Sequence, residues 1–257
     1  MYHNQQIPDL SAIHVQKQGY RNYPIDKNNP LYNEGFADIR DHDLIGENYY
    51  HRADNPPYNH QIPHSIPNLF LRLTVIKKLQ AINHALSAHN LELYFFDCYR
   101  PIEVQNYFHD IWVPKYLKQQ HPDWHEAAVA EEVDKYWAKG APDSSKVDPD
   151  SPPPHSTGGA FDVTILRLNG EAFNMGSAFD DPSAISNTDY FEIQAQKRAL
   201  QTSETNALQN RRLLYWLMTD ADFCNNPTEW WHYSYGDQMW AKLHNQPAAI
   251  YSKLNLD

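Results

Sequence analysis

The amino-acid sequence predicts an α+β fold in one domain, a central and mainly antiparallel sheet flanked by helices. Three observations lead to it. Two apolar stretches of strand length, Leu91–Phe96 and Gly159–Leu168, are separated by amphipathic helical patterns. A third strand candidate, Glu229–Tyr235, is rich in aromatic residues. No linker, repeat or low-complexity tract divides the 257 residues, so 1–257 reads as a single unit.

Taken in order, residues 1–67 have little periodicity and many turn formers and tyrosines, and read as an irregular lead-in wrapped on the core. After Pro67, Leu71, Val75, Leu79, Ile82 and Leu86 recur at three- and four-residue steps and predict a helix ending near Asn90. The strand Leu91–Phe96 runs into Asp97-Cys98-Tyr99-Arg100-Pro101, which puts Arg100 at a strand's end. Pro101 suits a first helical turn, and that helix is expected to stop at Pro114. A further helix is expected over about 122–138, then a Pro-, Ser- and Asp-rich loop at 139–154. Its Pro152-Pro153-Pro154 run is stiff and presents His155 in a fixed direction. The strand from Gly159 ends at Asn169-Gly170, a pair favoured in tight hairpin turns. Residues 174–189 read as a loop. One long helix is expected over about 190–219, with Arg211 and Arg212 exposed.

Composition excludes several classes of function. With 21 Lys+Arg against 32 Asp+Glu, the formal charge of −11 argues against a nucleic-acid partner. No apolar run approaches the roughly 18 residues a membrane span requires, and the residues after Met1 lack a signal-peptide layout. A cytoplasmic protein is expected. Two cysteines, outside any CxxC pair, make no thiolate cage. Histidine is abundant, at 14 residues, which turns attention to those with partners at ligand spacing.

Two segments qualify. In His155-Ser156-Thr157-Gly158-Gly159-Ala160-Phe161-Asp162, the glycines allow a turn that brings His155 and Asp162 together. The second is Glu229-Trp230-Trp231-His232. A catalytic zinc takes three ligands from His and Asp/Glu and keeps one position open, a count that His155, Asp162 and His232 satisfy. Glu229 is then left as general base, accepting a proton from water and passing it to the leaving amine. In a straight strand Glu229 and His232 face opposite sides, so a bend or bulge at Trp230-Trp231 is needed. Arg100 is a candidate for stabilising the oxyanion. His121-x-x-x-His125 fails as a helical zinc pair, since Glu126 follows the second histidine and not the first.

Asp97-x-Tyr99-Arg100-Pro101, His155-x-x-Gly158-x-Ala160-x-Asp162, Met175-Gly176-Ser177-x-Phe179-Asp180 and Glu229-x-x-His232, in that order, resemble the zinc-dependent D-alanyl-D-alanine dipeptidases. The resemblance implies the zinc D,D-peptidase (hedgehog-like) fold and one Zn2+ per chain on His155, Asp162 and His232. It implies Glu229 as base, Arg100 as transition-state stabiliser and Asp180 facing the free amine of a small dipeptide. One departure stands out: where many members carry a serine two residues before the first histidine, this chain has Pro153. That contact to the substrate amine is then missing or comes from Ser151 or Ser156. Two other readings stay open, a D,D- or L,D-carboxypeptidase acting on peptidoglycan stems and a zinc-binding module without catalysis.

Overall fold

The computed structural model describes residues 2–136 and 140–256. Its strands are β1 (Phe36–Asp38), β2 (Ile45–Gly46), β3 (Phe70–Arg72), β4 (Leu91–Asp97), β5 (Ala160–Arg167), β6 (Cys224–Asn225) and β7 (His232–Ser234). Its α-helices are α1 (Ser11–Lys17), α2 (Leu73–Ser87), α3 (Ile102–Tyr107), α4 (Val113–Gln120), α5 (Glu126–Tyr136), α6 (Tyr190–Lys197), α7 (Thr202–Asp220) and α8 (Gln238–Leu243). The main sheet has the order β2-β4-β5-β7-β6 and is parallel only between β2 and β4; β1 and β3 pair separately. This is the mainly antiparallel α+β arrangement expected.

The core follows from periodicity. In β4 alternate residues Leu91, Leu93 and Phe95 are buried, and they pair across to Arg167, Ile165 and Val163 of β5. The stripe Val75, Ile76, Leu79, Ile82 and Leu86 of α2 joins the same apolar cluster. Burying each such side chain contributes roughly 1.5–3 kcal/mol. Residues Ala160–Ile165 of β5 are buried on both faces, as the central strand of a covered sheet must be.

Several elements differ from the sequence reading, each for a local reason. Residues 1–67 are not irregular throughout, because they supply α1, β1 and the edge strand β2. Those strands have two or three residues, too few to show a period. The chain just after Pro67 forms β3 before α2 begins, since Phe70–Arg72 pairs with β1. Pro114 does not end its helix. A π turn at Phe108–Trp112 precedes it, and Pro114 falls in the first turn of α4, where a missing N–H costs least. The expected helix at 122–138 begins at Glu126, and its end at Ala138 lies outside the described residues.

The long helix at 190–219 is two helices. Arg198 is extended, and α7 restarts on a capping box in which Glu204 accepts from the Gln201 backbone N–H. Arg211 is buried, not exposed: it donates to the carbonyls of Met175, Ile185 and Asn187 at 2.7–2.8 Å. It thereby fastens the 174–189 loop to α7.

Candidate metal centre and active site

Sheet register assembles the polar centre. Asp162 on β5 pairs directly with His232 on β7, and Asp97 on β4 pairs with Asp162. A bulge between Phe95 and Asp97 is what makes the second pairing possible. Without it, the Phe95–Val163 register would oppose Asp97 to Phe161, and its carboxylate would turn toward the apolar face. Three neighbouring strands thus present Asp97, Asp162 and His232 in one row.

His155 arrives from the turn Pro154–Thr157 that follows the proline run. Gly158 closes that turn at a φ of 71°, a left-handed conformation that glycine adopts without penalty. At Gly159 a Cβ would lie 2.5 Å from the Tyr235 carbonyl, so β5 approaches its neighbour only with glycine there. Arg72 pins the turn by donating to the Thr157 and Glu34 carbonyls at 3.0 and 2.6 Å.

The expected bend before β7 is present. The Glu229 N–H donates to the Asn226 carbonyl and the His232 N–H to the Glu229 carbonyl, so residues 226–232 form successive turns and the strand begins only at His232. Trp230 Nε1 donates to Ser177 Oγ at 2.8 Å, and Trp231 packs edge-on against Phe179. These contacts turn Glu229 into the same cleft as His232, with Oε2 3.6 Å from His232 Nδ1.

The fit of this centre to a metal can be tested on distances. His155 Nε2, His232 Nδ1 and Asp162 Oδ1 lie 3.0, 3.1 and 3.5 Å from one another, all three residues buried. Zinc bonds of about 2.0–2.1 Å in tetrahedral geometry place ligand atoms roughly 3.3 Å apart. His155 Nδ1 lies 2.7 Å from the Cys98 carbonyl and can only donate there. That fixes the tautomer and leaves Nε2 as a lone pair aimed at the centre. Burial works against a charged His232, yet its bond to Asp162 and the charges of Asp162 and Glu229 raise its pKa overall. Burial likewise opposes ionisation of Asp162, but His155 and His232 hold its carboxyl well below the usual range. Acidic groups that favour positive charge at this point suit a divalent cation there. The residues fit the group.

Arg100 lies beside the trio. Its Nε donates to Asp97 Oδ2 at 2.8 Å, Nη1 to Gln105 at 3.1 Å, and Nη2 to both Tyr50 and Asp162 at 3.2 Å. Although burial opposes its charge, the surrounding acidic groups keep it protonated.

Asp180 lines the same cleft. Both Tyr50 and Tyr58 donate to its Oδ2, at 2.6 and 2.8 Å. Burial pushes its carboxyl up to about 7, with Arg100 pulling the other way. Burial also raises both phenols well above 10.0, so they remain donors. Ser156, expected to offer a hydroxyl, donates it to the Pro153 carbonyl at 2.8 Å and is not among the residues lining the cleft. Ser151 gives its carbonyl to Arg21. The hydroxyls around Asp180 therefore come from two tyrosines of the 1–67 segment, which the sequence reading did not single out. The signal available was only the density of tyrosines there.

The cleft has a volume of about 940 Å³ and is lined by His155, Asp162, Asp180, Arg100, Glu229 and His232, among others. His121 stacks on Trp124 and takes no part in it. No described helix is long and apolar enough to cross a membrane.

The D-Ala-D-Ala dipeptidase family profile matches residues 41–250. A D-alanyl-D-alanine dipeptidase of Synechocystis sp. is 33% identical over 237 residues, which cover 88% of this chain and 88% of that protein. Another, from Enterococcus faecium, is 36% identical over 85 residues, 33% of this chain and 37% of that protein. By its fold, its site and these matches, the chain belongs to the D-Ala-D-Ala dipeptidase family of peptidases.

Proposed function

We propose that this chain hydrolyses D-alanyl-D-alanine or a similar D,D-dipeptide with one zinc ion held by His155, Asp162 and His232. The observation that carries this is the set of three donor atoms 3.0–3.5 Å apart, with the Glu229 carboxylate 3.6 Å from one of them in a single cleft. When bound, zinc supplies Lewis-acid polarisation of the scissile carbonyl and makes water acidic enough to deprotonate near neutral pH.

The chain's own groups do the rest. Glu229 accepts the proton of the attacking water and delivers it to the leaving amine. Asp97 and Asp162 hold the Arg100 guanidinium rigid beside the metal ligands, where it stabilises the developing oxyanion. Asp180 has one carboxylate oxygen saturated by two phenols, and its other oxygen receives the substrate ammonium.

Selectivity for dipeptides then rests on charge and not on space. A cleft of about 940 Å³ holds far more than an alanine dipeptide, so volume alone would admit longer peptides. A blocked amine, in contrast, leaves Asp180 buried against an uncharged amide. The test is hydrolysis of D-Ala-D-Ala against its N-acetylated form by the zinc-loaded protein. Strong preference for the free amine supports the reading; preference for the blocked peptide favours a carboxypeptidase. Zinc bound at one per chain with no dipeptide cleaved favours a binding module.

A further inference from the structure

One wall of the cleft comes from chain outside the 41–250 family match. The last turn of α1, with Gln18, Gly19 and Tyr20, lines the cleft alongside Glu229 and His232. We propose that the Lys17 ammonium on this turn receives the free C-terminal carboxylate of the dipeptide and so sets selectivity for an unblocked C-terminus. The inference rests on the dipeptidase reading above.

The chemistry calls for such a group. A zwitterionic dipeptide must place its carboxylate in a cleft lined by Asp9, Asp162, Asp180, Asp189 and Glu229. Besides histidines, the cations lining it are Arg100 and Lys17. Arg100 is committed, paired with Asp97 and Asp162 and bonded to Gln105 and Tyr50. Lys17 Nζ donates to a neutral acceptor, Asn226 Oδ1, at 2.7 Å. Among the described residues no carboxylate lies within ion-pair distance of it, and an ammonium has three donors to give.

Its position matches the leaving half of the substrate. The Asn226 carbonyl accepts from the Glu229 N–H, and the Asn226 N–H donates to the His232 carbonyl, both at 3.0 Å. Lys17 is therefore one residue removed from the base and from a metal ligand. Burial lowers the pKa of Lys17 while the Glu229 carboxylate acts to raise it, and burial raises that of Asp180 while Arg100 acts against it. Both line one cleft with the metal donors but keep different neighbours, Asn226 for Lys17 and the two phenols Tyr50 and Tyr58 for Asp180. A carboxylate anchored on Lys17 brings the leaving nitrogen toward Glu229, which must protonate it.

The test compares D-Ala-D-Ala with its C-terminal amide on zinc-loaded wild type, Lys17→Met and Lys17→Arg. Wild type should prefer the free acid by about 10- to 100-fold in kcat/KM. Lys17→Met should lose that preference through a raised KM for the acid, with amide hydrolysis unchanged, and Lys17→Arg should retain most of it. Equal slowing of both substrates by Lys17→Met, with the preference intact, overturns the inference alone. Failure of wild type to cleave either substrate overturns the dipeptidase reading and this inference with it.

Discussion

Glu229 and His232, three residues apart, face one cleft, with Glu229 Oε2 3.6 Å from His232 Nδ1. The turn between them brings together two side chains that a straight strand would have pointed apart. A base that is not itself a ligand should be removable without loss of the metal. Glu229→Gln is accordingly expected to lower kcat by about 10²- to 10⁴-fold while zinc remains at one per chain by elemental analysis. Undiminished turnover would remove Glu229 from the mechanism.

Asp180 gives the site a pH signature. Its carboxyl stands at about 7 in the fold against an ordinary value of 3.8, raised by burial. An acid whose pKa is raised by folding binds more protons folded than unfolded, so its contribution to stability is complete below about 4 and is lost as pH rises through about 7. The gap corresponds to as much as about 4 kcal/mol. Asp180→Asn should therefore lose less stability than wild type between pH 5 and pH 8 in urea unfolding. An identical loss in both proteins would contradict this.

The same group should shape substrate binding. If Asp180 receives the dipeptide ammonium as proposed, it does so ionised, and KM for D-Ala-D-Ala is expected to fall as pH rises through about 7. Asp180→Asn should flatten that dependence and raise KM at pH 8 by about 10- to 100-fold. Steady-state kinetics across the range reads both effects.

Arg211 supports the site from a distance. Its three carbonyl partners, Met175, Ile185 and Asn187, bracket Asp180 along the loop. Arg211→Met leaves those buried acceptors unsatisfied and is expected to cost about 2–4 kcal/mol in chemical denaturation. KM should rise more than kcat falls, because Asp180 is displaced before the metal ligands are.

Local spacing made part of this site legible in the sequence. The proline run before His155, the glycines between it and Asp162, and the Glu229-x-x-His232 step all act within a few residues. The need for a bend at Trp230-Trp231 followed from strand geometry alone. What escaped depends on contacts across the chain. Tyr50 and Tyr58 reach Asp180 from 130 and 122 residues away, out of a segment whose strands are too short for periodicity. Arg211 reads as surface on its helix because only the folded loop at 174–189 supplies the carbonyls that allow an arginine to be buried. Asp97 opens one of the motifs, but its place opposite Asp162 is set by the bulge after Phe95, which sequence spacing does not show.

The most direct measurement is D-alanine release from D-Ala-D-Ala by protein stripped with a chelator, its metal content verified, and then titrated with zinc. Activity should vanish in the stripped protein and return in full at one zinc per chain. His232→Ala should neither retain zinc nor recover. Undiminished hydrolysis by protein shown to be free of metal would contradict a catalytic centre built on His155, Asp162 and His232.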